Sequence, residues 1–281
     1  MSYIHTKVVK NRQKTKIILK SFLVCMEVFT FVPTLLEENN MKYAIIAAGE
    51  GSRLATEGVA DPKPLVRIHG ECLIDRLLRV FMQNGADEIC VICNEQMVEV
   101  AEHLHSIASQ GLRGKSIPLR LKVKSTPSSM HSFYELSPWL EGSNFVLTTV
   151  DTIFKEEEFR RYVADFQKAI DEGLDGLMGV TDYIDDEKPL YVGVNEAMGI
   201  TGFYDDNSNH CRYISGGIYG LSPVAIDTLR QCVADGESRM RNFQRGLIRD
   251  GRSLQAFAFS KVLDIDHATD IAKAEDFLAR P

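Results

Sequence analysis

From residue 41 onward, short apolar runs alternate with stretches whose apolar residues recur every three or four positions. The run 42–47 is rich in Ile and Ala and stops at a glycine-rich turn, which predicts a strand and its exit. Over 73–84, Leu73, Leu77, Leu78 and Phe81 fall on one helical face, and Gly85 closes the segment. The same reading predicts strands at 88–93, 119–123 and 144–150, and helices at 97–109, 129–140 and 156–172. Further strands are expected at 176–180, 190–195, 199–204, 214–221 and 253–259, with helices at 223–233, 239–249 and 269–278. The leading βαβαβαβ order implies parallel strands with right-handed crossovers, and the hairpin-like stretch 190–204 adds antiparallel pieces. The expected fold class is therefore α/β: a three-layer α/β/α arrangement with a mixed, mostly parallel central sheet. Ligands of such sheets bind beyond the carboxyl ends of the strands. Topology alone makes the loop after the first strand the prime site.

Residues 1–40 break this pattern. Lys7, Lys10, Arg12, Lys14, Lys16 and Lys20 face only Glu27, Glu37 and Glu38, so the stretch is net +3 and the remainder net −10 of a total of −7. Its apolar part, 17–36, suggests a leader or an anchor, but Lys20 and Glu27 interrupt it. A charge at the centre of a membrane helix costs roughly 2.5–3.5 kcal/mol. No small-x-small cleavage site precedes Met41, and Met41-Lys42-Tyr43 is itself a natural start leading into the first strand. The expectation is a non-core N-terminal extension over 1–40, either a gene-start artefact or a disordered stretch, with a membrane-associated segment as the alternative.

The chain of 281 residues is long enough to bury a substantial core, and its 44% hydrophobic and 25% charged content is ordinary for a globular protein. The net charge of −7 argues against nucleic-acid binding, which favours a basic excess. The six cysteines, Cys25, Cys72, Cys90, Cys93, Cys211 and Cys232, are scattered, which points to a reducing, cytoplasmic setting rather than a disulfide framework. Cys90-x-x-Cys93 sits inside an apolar run with no second pair at zinc-ligand spacing, so both are read as core thiols.

The first strand runs into Ala47-Ala48-Gly49-Glu50-Gly51-Ser52-Arg53-Leu54. Glycines let a backbone approach a ligand, and successive N–H groups form an anion-binding nest. The segment is not a P-loop, because no Gly-Lys-Ser/Thr follows, and Leu54 stands where a dinucleotide fingerprint needs its third glycine. Arg53 adds a cation, and Pro62-Lys63-Pro64 adds a second, with two prolines expected to hold the lysine in extended backbone. This opening, continued by Pro64-Leu65-Val66 and Ile68-His69-Gly70-Glu71-Cys72-Leu73-Ile74, resembles that of the sugar-1-phosphate nucleotidyltransferases of the nucleotide-diphospho-sugar transferase (NTP transferase) superfamily. The Arg53-to-Lys63 separation matches the sugar type better than the molybdenum-cofactor type. The resemblance extends over 41–281, which is expected to be one nucleotidyltransferase domain.

The resemblance implies roles residue by residue. The nucleotide-binding loop would comprise Ala47, Ala48, Gly49, Gly51, Ser52, Arg53 and Lys63, with Gly49, Gly51 and Ser52 presenting backbone N–H groups to the NTP phosphates. Arg53 and Lys63 would be catalytic, Arg53 on the departing pyrophosphate and Lys63 bridging the α-phosphate and the acceptor phosphate. Val146-Leu147-Thr148-Thr149-Val150-Asp151 is similar to the strand that ends in the family's metal aspartate. Asp264, chosen over Asp266 in Val262-Leu263-Asp264-Ile265-Asp266, would be the second Mg²⁺ ligand, with Asp266 and Asp270 as caps of the last helix. Mg²⁺ suits such a site, since it takes one or two carboxylates plus substrate phosphates. A phosphate monoester, with second pKa about 6, needs no general base, so His131 and His210 are given no catalytic part.

On the acceptor side, Ser215-Gly216-Gly217-Ile218-Tyr219 matches the family's later strand, whereas Glu187-Lys188-Pro189 stands in a different place from the family's and is read as a coincidental loop. The expected activity is transfer of a nucleoside monophosphate from an NTP to a phosphorylated acceptor, foremost a sugar 1-phosphate, with no nucleic-acid or membrane partner. Cytidylyl transfer to a phospho-alcohol such as phosphocholine is the alternative, followed by a non-catalytic nucleotide-binding regulator of the same fold.

Overall fold

The computed structural model describes residues 41–49, 51–185 and 187–279. The expectations for 1–40 lie outside the described residues. Strand β1 (Met41–Ala47) leads into a short helix α1 (Ser52–Thr56) and a single 3-10 turn at Lys63–Leu65. The hairpin β2 (Arg67–Ile68) and β3 (Glu71–Cys72) then opens α2 (Leu73–Gln83). Next come β4 (Glu88–Cys93), α3 (Val98–Gln110), β5 (Leu119–Val123), α4 (Ser129–Leu140), β6 (Asn144–Thr149), β7 (Thr152–Ile153) and α5 (Glu156–Asp171). The second half holds β8 (Gly176–Thr181), β9 (Tyr191–Val194), β10 (Ile200–Tyr204), β11 (Tyr213–Leu221), α6 (Ala225–Ala234) and α7 (Met240–Arg249). It closes with β12 (Leu254–Phe259), β13 (Leu263–Asp264) and α8 (Ala268–Ala279).

The central sheet has the order β10-β9-β11-β6-β1-β4-β5, with β8 pairing both β11 and β12. β1 is parallel to β4 and β6, and β4 to β5, as successive βα units require. β11 runs antiparallel to β6, β8 and β9 and makes the sheet mixed. Alternation along β1 builds the three layers. Tyr43, Ile45 and Ala47 enter one core with Leu77, Phe81, Phe159 and Tyr162, while Ala44 and Ile46 enter the other with Phe133, Leu136 and Phe243. Cys90 and Cys93 divide between the same two cores and are free, and burial pushes their thiols up to about 12 and about 11. They are core thiols.

Several details differ from expectation, among them α1 and the hairpin strands β2 and β3, which were not predicted as elements. Pro62 is extended, but Lys63 itself begins the 3-10 turn, with the Leu65 N–H donating to the Pro62 carbonyl at 2.8 Å. β7 and β13 were not expected as strands. They pair Leu263 with Ile153 and Asp264 with Thr152, which brings the C-terminal segment beside the end of β6. Among the described residues no helix is long and apolar enough to cross a membrane.

Candidate active site

The site grows from the carboxyl ends of β1 and β6. At Gly51, φ is +62°, a conformation that L side chains rarely adopt, and a Cβ there would stand 3.1 Å from the Lys63 Cβ. Glycine thus lets the loop and the Lys63 stem pack against each other. Asp151 follows β6 directly, and the Val150 N–H donates to the Ile46 carbonyl at 3.0 Å, carrying the β1–β6 ladder to the brink of the site. Opposite, β11 breaks register between Ser215 and Ile218, where Gly217 has φ +68° and a Cβ on it would stand 3.5 Å from the Thr152 hydroxyl. Such bulges re-aim strands beside functional sites.

In the C-terminal segment, Leu263 and Ile265 are buried, so strand alternation sends Asp264 and Asp266 to the opposite, open face. The Ile265 N–H donates to the Asp151 carbonyl at 3.2 Å, fixing the two segments side by side. The Lys63 ammonium then meets two carboxylates: it donates to Asp151 and, at 2.7 Å, to Asp266. The other Asp266 oxygen lies 3.3 Å from the Arg53 guanidinium. Burial works to lower the Lys63 pKa, but the charges and hydrogen bonds of Asp151 and Asp266 outweigh it and hold the ammonium above the usual lysine range.

Asp266 therefore does not cap the last helix. Asp270 takes the local backbone instead, its carboxylate accepting the N–H groups of Asp266 at 3.2 Å and His267 at 2.8 Å. The cap reading failed because Asp266 and Asp270 are equally suited to it by type, and only the β7–β13 pairing turns Asp266 toward Lys63.

Two cavities border this cluster. One, of about 450 Å³, is lined by Ala48, Gly49, Gly51, Lys63, Asn94 and Asp151, with the serines of 125–129 on its far wall. Asn94 is buried and ties the walls together. Its amide oxygen accepts the Gln96 N–H at 2.9 Å and the Ser125 hydroxyl at 2.7 Å, and its amide nitrogen donates to the Ala48 carbonyl at 3.3 Å. In the sequence it is the first of three polar residues, Asn94-Glu95-Gln96, that end the apolar run of β4. Ser128 caps α4. The second cavity, of about 320 Å³, is lined by Arg53, Tyr183, Ser215, Gly216, Asp264 and Asp266.

Glu187 and Lys188, from the segment read as a coincidental loop, lie along this second cavity. The cause is register: the Ser215 N–H donates to the Leu190 carbonyl at 2.8 Å, so the residues just before Leu190 emerge beside Ser215. Asp205 is engaged elsewhere, by Arg241 and Arg245. Ala48, Gly49, Gly51, Arg53, Lys63, Asp151 and Asp264 line the two cavities, Ala47 is the buried last residue of β1, and Ser52, the first of α1, lines a further cavity of about 580 Å³ that shares Gly51 and Asn94 with the first. His131 bonds to Ser128, within α4's first turn.

Residues 43–175 match the family model of the MobA-like NTP transferase domain. The match covers a little under half of the chain and is consistent with a member of the NTP transferase superfamily. It is 24% identical over 252 residues, 84% of its length, to a bifunctional IPC transferase and DIPP synthase of Rubrobacter xylanophilus, and spans 51% of that protein. Among solved structures, it resembles the inositol-1-phosphate CTP transferase of T. maritima with TM-score 0.68 and 20% identity, covering 85% of this chain and 95% of that one. It also resembles the CTP:phosphocholine cytidylyltransferase of Streptococcus pneumoniae, with TM-score 0.65 and 18% identity over 85% of this chain and 99% of that one. These likenesses establish the three-layer α/β fold.

Proposed function

We propose that the protein transfers a nucleoside monophosphate from an NTP to a phosphorylated small-molecule acceptor and releases pyrophosphate. One observation carries the reading: Lys63 stands in the cluster that the two cavities border, its ammonium held by Asp151 on the first side and Asp266 on the second. The first cavity, walled by Gly49 and Gly51, takes the nucleotide. The second takes the acceptor, with Lys63 between the α-phosphorus and the incoming phosphate. That phosphate is already largely dianionic near neutral pH, so the work falls to placement and charge stabilisation. Lys63 screens the approach of two anions, and Arg53 leaves Asp266 for the departing pyrophosphate.

The donor set fits Mg²⁺, a hard cation served by one or two carboxylates plus phosphate oxygens. Asp151 and Asp266 already converge on one cation, and Asp264 emerges from the same face two residues away. When bound there, Mg²⁺ neutralises charge on the transferring phosphate. The acceptor is best read as a sugar or cyclitol phosphate. Tyr183 is the aromatic ring among the residues lining the second cavity, and the Lys261 ammonium already lies 3.9 Å from its centroid. That face is closed to a quaternary ammonium such as choline. The cysteines among the described residues, free and largely buried, and the acidic balance fit a cytoplasmic enzyme of small-molecule chemistry.

The test is pyrophosphate release with Mg²⁺, screened over the four common NTPs against sugar 1-phosphates, inositol 1-phosphate and phosphocholine. Turnover is expected with at least one sugar or cyclitol phosphate and is expected to be slower with phosphocholine. Turnover with phosphocholine alone would overturn the acceptor assignment.

A further inference from the structure

Glu57, just after α1, lies outside every feature used so far. Its carboxylate spans two groups at the start of α8: one oxygen lies 2.6 Å from His267 Nδ1, and the other accepts the Ala268 N–H at 2.7 Å. The Glu57 backbone N–H is in turn bonded to the carbonyls of Arg53 and Leu54. A chain of contacts therefore runs from the helix that bears Arg53 to the two residues that follow Asp266.

Other ties on the C-terminal segment act differently. The Asp270 carboxylate binds the backbone of Asp266 and His267 from within the same segment, so it sets the segment's shape but not its place. The Ile265–Asp151 bond anchors the segment to the β6 side. Toward the nucleotide loop, Arg53 and Lys63 reach Asp266, but both are the groups that phosphate would draw away. Glu57 supplies a link to the loop that uses neither. A carboxylate at the N-terminus of a twelve-residue helix is favoured by the helix dipole and by charge-assisted hydrogen bonding.

We infer that Glu57 is a positioning residue, holding the segment that carries Asp266 in register with the helix that carries Arg53 while phosphate occupies the site. The inference rests on the transferase reading above. Losing such a support behind a metal-binding carboxylate costs about ten- to a hundredfold in metal affinity or activity.

The experiment compares the full-length protein with Glu57→Ala and Glu57→Gln. In pyrophosphate release, Glu57→Ala is expected to raise the half-saturating Mg²⁺ concentration about tenfold while the acceptor KM changes little. In the metal-free protein, hydrogen exchange at the Ala268 amide should quicken in Glu57→Ala. Glu57→Gln, whose amide oxygen still accepts that N–H, should restore most of both. A folded Glu57→Ala with wild-type Mg²⁺ dependence and wild-type exchange at Ala268 would overturn the inference. So would equal impairment of the two variants, and, should Glu57→Ala not fold, a Glu57→Gln protein as impaired in Mg²⁺ dependence as a variant lacking Asp266. A wild-type protein without turnover on any pair would instead refute the transferase reading, leaving the Glu57 link to be decided by exchange at Ala268 and by Mn²⁺ titration.

Discussion

Gly51 and Gly49 look alike in sequence and differ in what the fold asks of them. Gly51 is left-handed and a Cβ there would stand 3.1 Å from the Lys63 Cβ, whereas a Cβ at Gly49 meets nothing within 4 Å. Gly51→Ala should therefore cost about 1–2 kcal/mol in strain alone and raise the NTP KM. Gly49→Ala should stay within about 0.5 kcal/mol of wild type, and chemical denaturation of the pair checks both values. The two C-terminal aspartates separate in the same way. Asp266→Asn should lower Mg²⁺-dependent turnover by at least about tenfold, while Asp264→Asn should act mainly on the acceptor KM. Equal loss of Mg²⁺ dependence in both variants would put Asp264 on the metal as well. The glycine-rich loop and Lys63 stood out by type and spacing and Asp151 through the family resemblance, and the fold brings them together. Asp266, Asn94 and Glu57 were not, because each owes its place to a partner from 31 to 211 residues away in the chain.

Long, periodic elements were read within a residue or two of their ends, since their pattern is local. The two-residue strands β7 and β13 carry no period to read, and what defines them is their pairing across more than a hundred residues. The register break in β11 at Ser215–Ile218 was equally silent. One helix pair makes a test at this scale. His103 on α3 lies 2.6 Å from Asp75 on α2, and that hydrogen bond raises the imidazole above the usual histidine range. A raised pKa stabilises the fold while the histidine is charged, fully below the unfolded value and not at all above the folded one. The part-exposed pair is worth at most about 1 kcal/mol. His103→Gln should lose that increment at pH 6 and differ little from wild type at pH 9, as read by denaturant midpoints.

At the scale of the molecule, a sheet that carries β1 and β6 side by side delivers the nucleotide loop and Asp151 to one edge, and the β7–β13 pairing brings the chain's far end to the same place. Sequence order foretold the first convergence, because consecutive βα units must place their loops at one end of a parallel sheet. The second depends on a return of the chain that the sequence offers only through the resemblance of Val262–Asp266 to the family's C-terminal segment. The result is one ammonium, Lys63, held by carboxylates from both halves in the cluster that two cavities border. Measuring pyrophosphate release by Lys63→Ala beside the wild type tests this most directly. A loss of at least about a hundredfold in kcat, with the melting temperature retained, is predicted; a folded Lys63→Ala enzyme with wild-type turnover would contradict the assignment of the site.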